Sequence, residues 1–446
     1  MDLRYTVNPY LPAARQRHLV YVLIEIDPGE PVAPSAALNL SLVVDASQSM
    51  SIPILTETQF NDLRARGMAK QRRVDGVSVW QFEVPKGFRV DAPSNMDFCK
   101  KALRVVADQL RPEDRFAMVA FAQDALLMVS NTPGTDRERL REAVERLDRI
   151  DLGDETYMAR GMQAGHKQAL PGISPDVVSR MIVLTDGYTK DEGDCYTWAR
   201  QAKKDGIVVS TMGLGLDFNQ DLLISLADTS GGHAYFVEDP AEIPEAFRQE
   251  LARAQSVSWR DLSLSLALPA EVTIRRGHRV TPTIAPLQIE GDAISLGDLE
   301  SQGKGGASVL LELVVPPRSA GAYRLAEAAL RGRPTGRAAP SDLDRQDVVV
   351  RYTERPTLAK QTDAHLMEVI QRVSAFKLQN QAMEDAQRGN IAGATRRLRA
   401  AGERLIDMGQ EDLGQTMLVE ADLMEKEGQM SSEGTKKLRY GTRKLR

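Results

Sequence analysis

The hydrophobic pattern divides the chain into stretches of different periodicity. Between about residues 38 and 253, continuous apolar runs of strand length alternate with segments whose apolar residues recur every three to four positions. "LNLSLVVD" and "SRMIVLTDG" are typical of buried strands, whereas "MDFCKKALRVVADQL" has the spacing of a helix. This alternation predicts an α/β fold, a doubly wound and mostly parallel sheet covered by helices on both faces.

The second stretch, from about Val257 to Arg351, has short alternating apolar runs separated by glycine and proline. This pattern is typical of an antiparallel β-sandwich. The apolar run at residues 18–26 has no helix that would make it part of a βα unit, so we assign it to the same sandwich. The α/β domain is therefore predicted to be inserted in the sandwich.

The third stretch begins at Thr357 and has helical periodicity throughout. Glycine near 388–390, 408–410 and 427–429 indicates helix ends and predicts a bundle of antiparallel helices. The basic end, 436–446, is predicted to be a solvated tail, with binding to an acidic surface as the alternative. In chain order, the predicted regions are sandwich strands in 1–35, the α/β domain in 36–253 with an insertion at 51–95, the sandwich in 254–354, and helices in 355–446.

Composition limits the class of protein. The chain has 446 residues, a net charge of −5 and two cysteines, which favours several domains without a disulfide framework and gives no indication of nucleic-acid binding. The first residues lack the apolar core of a signal peptide, and no apolar run approaches the length of a membrane span. We therefore expect a cytoplasmic protein with no membrane or nucleic-acid partner.

Acidic and hydroxyl side chains lie where two predicted strands end. Asp45, Ser47 and Ser49 follow one strand, Asp186 follows another, and Thr156 lies at the start of a predicted helix. In an open parallel sheet, ligands bind beyond the carboxyl ends of the strands. Carboxylate and hydroxyl oxygens without histidine or thiolate suit Mg²⁺ or Mn²⁺ rather than Zn²⁺.

This ordered set resembles the metal-ion-dependent adhesion site of the von Willebrand factor type A (VWA) domain, and residues 208–247 are also similar to the second half of that family. The resemblance implies that Ser47, Ser49 and Thr156 would supply hydroxyls to Mg²⁺. The resemblance also implies that Asp45 and Asp186 would bind the Mg²⁺ ion directly or through water. The remaining position would accept a carboxylate, Asp or Glu, from a partner protein.

The sequence departs from the family in two places beside this site. Gln48 stands between the two serines where the family commonly has glycine, and 51–95 intervenes where a helix normally begins. The insertion is predicted to contain a short helix capped by Thr58 and then a hairpin with Asp75-Gly76 at its turn. It is either a packed decoration that extends the sheet or a lid that sets specificity.

The residues that we predict to contact a partner lie at these two places, Gln48 and the insertion. They are Gln48, Arg72, Arg73 and Trp80. The order of the regions resembles bacterial intracellular VWA proteins, which implies partners such as MoxR-type AAA+ ATPases or kinase and phosphatase components of an operon. We therefore expect a non-enzymatic, Mg²⁺-dependent scaffold that binds an acidic residue of a partner.

Two alternatives belong to other classes. A metal-dependent hydrolase or phosphoryl-transfer enzyme could use Asp45 as its nucleophile, but Ser47 stands where a second acid would be expected. A secreted adhesin would need an export signal and commonly disulfides, for which the sequence gives no indication.

Overall fold

The computed structural model describes most of the chain, and for 72–74 and 77–82 it describes the backbone alone. The described residues are 1–13, 15–29, 36–74, 77–82, 85, 91–153, 155–289, 291, 293–300, 306–337 and 339–445. In this part of the chain, no helix has the length and apolarity that crossing a membrane requires.

The chain begins with β1 (Asp2–Val7), β2 (Tyr10–Pro12) and β3 (His18–Asp27). The α/β region then comprises β4 (Ala37–Asp45), α1 (Glu57–Ala65), β5 (Ala69–Val74), β6 (Val77–Phe82), α2 (Asn95–Gln109), β7 (Arg115–Phe121), β8 (Ala125–Pro133), α3 (Glu138–Arg146), α4 (Met158–Ala169), β9 (Val177–Thr185), α5 (Glu192–Lys204), β10 (Ile207–Leu214), α6 (Gln220–Ser230), β11 (Ala234–Val237) and α7 (Ile243–Gln255).

The following strands are β12 (Val257–Ala267), β13 (Thr273–Thr281), β14 (Ala285–Pro286), β15 (Ala293–Glu300), β16 (Ala307–Val315), β17 (Gly321–Pro334) and β18 (Ser341–Thr353). The chain ends with helices α8 (Pro356–Ala359), α9 (Ala364–Gln387), α10 (Ile391–Asp407), α11 (Glu411–Glu427) and α12 (Ser432–Arg443).

The central sheet has the strand order β11-β10-β9-β4-β7-β8, and its strands are parallel except for the β7–β8 pair. The predicted doubly wound sheet is confirmed. One hydrophobic cluster lies under α2, α3 and α7, and a second lies under α4, α5 and α6. Strand order reverses beside β4, because the chain continues to β7 on one side and later to β9 on the other. The carboxyl ends of β4 and β9 therefore frame a crevice suited to a ligand.

Strand β4 is buried on both faces, which explains its unbroken apolar pattern. Its polar residues have partners: Asn39 donates to the Ala169 carbonyl at 2.7 Å, and Ser41 donates to the Gly165 carbonyl at 3.0 Å. A β-carbon at Gly165 would lie 2.5 Å from a Val43 methyl carbon, so only glycine lets α4 approach this closely. These contacts fix the strand that ends at Asp45.

The flanking strands form two facing sheets with the orders β1-β3-β16-β13-β14 and β15-β12-β17-β18-β2. Pairing is antiparallel throughout, except that β2 is parallel to β18. Strand β3 pairs with β16, which confirms the assignment of residues 18–26 to the sandwich. Since strands from before and after the α/β region share these sheets, that region is inserted in the sandwich as predicted.

The predicted helix ends agree with α9, α10 and α11, but the prediction of a solvated basic tail was wrong. Its residues form most of α12, in which Lys436 is only 2% exposed and Leu438 is fully buried. Arg443 of this helix pairs with Asp228 of α6 at 2.6 Å, and Lys437 pairs with Glu238 after β11 at 3.0 Å. The basic residues have acidic partners about 200 positions earlier in the chain, which local composition could not reveal.

The insertion contains the predicted helix and hairpin, with two corrections. Strands β5 and β6 pair with each other in a separate two-stranded sheet, so the insertion does not extend the central sheet. The cap of α1 is Thr56, not Thr58, because Thr56 and Gln59 form a reciprocal capping box. The predicted turn residues Asp75 and Gly76 lie outside the described residues.

Candidate metal centre

Asp45 ends β4 in the interior of the domain and is 0% exposed. Its Oδ1 accepts a hydrogen bond from the Ser47 backbone N–H at 2.9 Å, which curls the chain back after the strand. Its Oδ2 accepts a hydrogen bond from the Thr185 hydroxyl at 2.6 Å, and Thr185 is the last residue of the neighbouring β9. The carboxylate is thus held from its own loop and from the adjacent strand.

Asp186, the next residue after β9, meets the serines of the β4 loop. Ser49 donates to Asp186 Oδ1 at 2.6 Å, and the hydroxyls of Ser47 and Ser49 lie 3.0 Å apart. Asn95, the first residue of α2, donates from Nδ2 to Asp186 Oδ2 at 3.0 Å. The structure therefore brings together four of the five predicted ligands in one hydrogen-bonded group.

Thr156 lies in the loop before α4, next to the segment that follows Asp186. Its carbonyl accepts hydrogen bonds from the Lys190 backbone N–H at 3.0 Å and the Thr189 hydroxyl at 3.1 Å. The cap position of α4 is Tyr157, so Thr156 does not cap this helix. In the described part of the chain, the Thr156 hydroxyl makes no hydrogen bond to the other four residues.

The two acids are buried without a compensating cation. Burial raises the pKa of Asp45 to about 6, although hydrogen bonds from Ser47 and Thr185 lower it. The pKa of Asp186 is also raised, again chiefly by burial. Neither carboxylate forms an ion pair with a lysine or arginine in the part of the chain that the structure describes. Such a pair is costly to ionise unless a cation joins it.

This donor set fits a hard divalent ion. It consists of carboxylate and hydroxyl oxygens, the ligands that Mg²⁺ and Mn²⁺ prefer. A group of three or more His, Cys, Asp or Glu residues suited to a metal is absent from the described residues. Hydroxyl groups would therefore have to complete the ligand set, and Ser47, Ser49 and Thr156 are available for that role.

Gln48 is exposed beside the two serines, in a short helical turn over Gln48–Ser51. It lines a cavity of about 300 Å³ together with residues of the β4 loop and of the segment after α3. The side chains of the other candidate partner contacts, Arg72, Arg73 and Trp80, lie outside what the structure describes. Their role as partner contacts stays a prediction.

Sequence reasoning missed two residues that touch the acids. Thr185 directly precedes Asp186 in the run "VLTDG", and pairing of β4 with β9 brings its hydroxyl to Asp45. That contact could have been found by placing the two strands side by side. Asn95 carries no comparable signal, because the whole insertion separates it from the serine loop.

Comparison with known families identifies the central region. Residues 92–249 match the von Willebrand factor type A domain, and residues 364–446 match the "Sll0103-like, C-terminal alpha-helical domain". The chain is a VWA domain protein. Its C-terminal helices α9 to α12 form the second of these matched domains.

Bacterial relatives match parts of this chain at low identity. The VWA chain is 27% identical over 213 residues to the uncharacterized protein sll0103 of Synechocystis, covering 46% of this chain and 50% of that protein. It is 22% identical over 286 residues to the uncharacterized protein YfbK of Escherichia coli, covering 62% of this chain and 48% of YfbK. The chain thus spans about half the length of these two relatives.

Two solved structures have the same fold along nearly the whole chain. The von Willebrand factor type A protein from Catenulispora acidiphila superimposes with a TM-score of 0.74 at 18% identity, covering 100% of this chain and 97% of that one. The ArnB paralog VWA2 from Sulfolobus acidocaldarius gives a TM-score of 0.55 at 15% identity, covering 99% and 98%. At these identities the likeness establishes the fold alone.

Proposed function

We propose that this protein binds Mg²⁺ or Mn²⁺ through Asp45, Ser47, Ser49, Thr156 and Asp186, and through that ion binds a carboxylate of a partner protein. The observation that carries the proposal is the pair of buried acids, Asp45 and Asp186, which the Ser47–Ser49 hydroxyl pair links. Among the described side chains, no lysine or arginine forms an ion pair with either acid. A bound ion would supply the missing positive charge.

The charge balance favours an acidic partner. The hydroxyl ligands are neutral, so only the two aspartates offset the charge of a divalent ion. Where an aspartate acts through water rather than directly, the ion keeps an attraction for a further anion. The Asp or Glu carboxylate of a partner is the anionic oxygen ligand that proteins offer most readily.

We propose a binding role rather than a catalytic one. In the described part of the chain, the hydrogen-bond partners of Asp45 and Asp186 are serine, threonine and asparagine groups, with no histidine or lysine. A hydrolase or phosphoryl-transfer site would need a group that moves protons or holds phosphate at this position. Hydroxyl and amide groups position the acids without transferring protons at neutral pH.

The proposal includes a setting and candidate partners. We propose that the protein acts in the cytoplasm as a scaffold, in which the sandwich and the C-terminal helices set the geometry of the assembly. Candidate partners are MoxR-type AAA+ ATPases and kinase or phosphatase components of the same operon. Each would be recognised by an Asp or Glu side chain that it presents to the ion.

The first test measures the cation itself. Calorimetric titration with Mn²⁺ is expected to show one site in the wild type and no site in Asp45→Ala or Asp186→Asn. Asp176→Asn is the matched control, because Asp176 is an exposed acid just before β9 and Asp186 directly follows the same strand. Binding that is equal in Asp45→Ala and wild type would overturn the proposal.

The second test concerns the partner. Proteins captured from a native lysate in Mg²⁺ are expected to be lost in EDTA and lost on Asp45→Ala. A partner retained under both conditions would exclude a metal bridge. Turnover of a simple phosphoester with Mg²⁺, abolished by Asp45→Asn, would instead indicate the phosphoryl-transfer class.

A further inference from the structure

The insertion begins directly after the loop that carries Ser47 and Ser49, and its two ends contact each other. Pro53 and Ser94 form an isolated antiparallel bridge, and the Ile54 backbone N–H donates to the Pro93 carbonyl at 2.8 Å. We call Pro53, Ile54, Pro93 and Ser94 the neck of the insertion. The described residues between 54 and 93 belong to a segment whose two ends meet at this neck.

Residues on both sides of the neck donate hydrogen bonds to the same carboxylate, that of Asp186. Ser49, four positions before the neck begins, donates to Asp186 Oδ1 at 2.6 Å. Asn95, the residue after the neck ends, donates to Asp186 Oδ2 at 3.0 Å. Asp186 is only 7% exposed, so these two donors supply much of its polar environment. The position of the neck and the position of Asp186 are therefore linked.

The Asn95 side chain is not needed to begin α2. Ser94 is the cap of that helix, with a reciprocal capping box to Asp97, and its side chain accepts from the Asp97 backbone N–H at 3.2 Å. The Asn95 amide instead points to the metal-site acid. An amide fixes the orientation of the carboxylate without neutralising it, whereas a lysine there would compensate the charge that a cation requires.

We propose that Asn95 is a positioning residue of the metal site and that it couples cation binding to closure of the neck. This inference rests on the proposed function, since it takes Asp186 to be a metal ligand. Coupling between two equilibria is reciprocal. If the closed neck strengthens cation binding by orienting Asp186, then a bound cation stabilises the closed neck by the same factor.

The first arm of the test measures Mn²⁺ affinity by calorimetry. Asn95→Ala is expected to weaken binding about tenfold, the scale typical for residues that orient metal ligands. The thermal midpoint of the cation-free protein should stay near that of the wild type, and Asn95→Gln should recover part of the affinity. Ser94→Ala is the control: it removes the cap of α2 and lowers the thermal midpoint, but should leave affinity within about twofold.

The second arm follows the neck by hydrogen exchange. The amide of Ile54 reports closure because its hydrogen bond crosses the neck. Saturating Mg²⁺ is expected to slow its exchange in the wild type and in Ser94→Ala, but not in Asn95→Ala. Wild-type affinity in Asn95→Ala, or an Ile54 amide that is insensitive to Mg²⁺ in the wild type, would overturn the inference.

The same experiments distinguish failure of the proposed metal site from failure of the coupling through Asn95. If Asp45→Ala binds Mn²⁺ as the wild type does, the metal site itself is misassigned. If Asp45→Ala loses the ion while Asn95→Ala keeps it at full affinity, the metal site stands and only the coupling through Asn95 fails.

Discussion

Asp45 and Glu250 are both fully buried acids of the VWA domain, yet their surroundings are opposite. Glu250, on α7, accepts hydrogen bonds from Ser210 at 2.6 Å and Tyr235 at 2.8 Å, and Arg180 lies 4.0 Å from it. Asp45 accepts hydrogen bonds from the Ser47 amide and the Thr185 hydroxyl, and the charged group that affects its pKa is another acid, Asp186. One acid is compensated within the fold and the other is not.

The pKa values of the two acids follow this difference. Burial by itself would raise the pKa of Glu250, but His233 and Arg180 beside it lower the value to about 2. Burial, as the largest cause, and nearby Asp186 together raise the pKa of Asp45 to about 6, although hydrogen bonds from Ser47 and Thr185 lower it. Breaking the pair of a buried acid and its cation is strongly destabilising, whereas a buried acid with a raised pKa is a candidate for a functional site.

The largest effect is expected at Glu250. Glu250→Gln leaves Arg180 buried without its carboxylate, which should lower the free energy of unfolding by about 3–5 kcal/mol. Denaturant unfolding monitored by circular dichroism measures this. Glu245→Gln on the same helix is the control: Glu245 is exposed and pairs with Arg248 at the surface, so little change is expected. Equal stability of both variants would contradict the comparison.

Replacing Asp45, the acid without a partner cation, should change the free energy of unfolding in the opposite direction. At pH 7.5 in EDTA, Asp45→Asn removes a buried charge and is expected to raise the free energy of unfolding by about 1–3 kcal/mol. Mn²⁺ is expected to raise the thermal midpoint of the wild type by binding the folded state, and the same variant should show no such stabilisation. Destabilisation of the cation-free protein by Asp45→Asn would indicate that the fold needs this charge.

The pH dependence should separate the two acids. Because folding raises the pKa of Asp45 from 3.8 to about 6, the cation-free wild type loses stability as the pH rises through that window. Asp45→Asn should lack this loss of stability, so the free energies of unfolding of the two proteins should become similar near pH 4. The lowered pKa of Glu250 has the opposite effect on stability. The ionised Glu250 stabilises the folded protein above pH 4.5, and this stabilisation is lost as the pH falls towards 2. Unfolding curves between pH 3 and 8 measure both trends.

The smallest effect is expected from one hydrogen bond to the compensated acid. Tyr235→Phe removes a donor to Glu250 but leaves Arg180 and Ser210 in place, so it should cost about 1–2 kcal/mol. Denaturant unfolding compares this variant with Glu250→Gln. If the two variants are equally unstable, the hydroxyl rather than the charge pairing governs this cluster.

Much of the arrangement of the candidate metal centre could be predicted because its signal is local. A buried strand that ends in Asp45 and continues with alternate serines turns its polar groups to one side, and the same strand pattern precedes Asp186. The doubly wound rule then places both strand ends at one edge of the sheet. Thr156 was predicted to lie at the start of a helix, and it lies in the loop just before α4, which begins at Met158. Its assignment as a ligand was implied by the family and stays a prediction.

The residues that sequence reasoning missed are held by long-range contacts. Asn95 meets Asp186 across 91 positions, and Arg443 meets Asp228 across 215. Neither contact alters the local periodicity from which helices and strands are predicted. The basic composition of α12 therefore resembled a free tail, although basic residues of this helix pair with acids on α6 and after β11.

The sequence by itself determined the elements, their order, the sandwich into which the VWA domain is inserted, and the chemistry of the strand-end ligands. These features depend on the period of apolar residues and on the groups within a few positions of each strand end. Only the tertiary structure decided which buried acids have a cation, where the insertion closes, and that Asn95 reaches Asp186. Compensation of a buried charge depends on distance in space, and the chain brings distant residues together only when it folds.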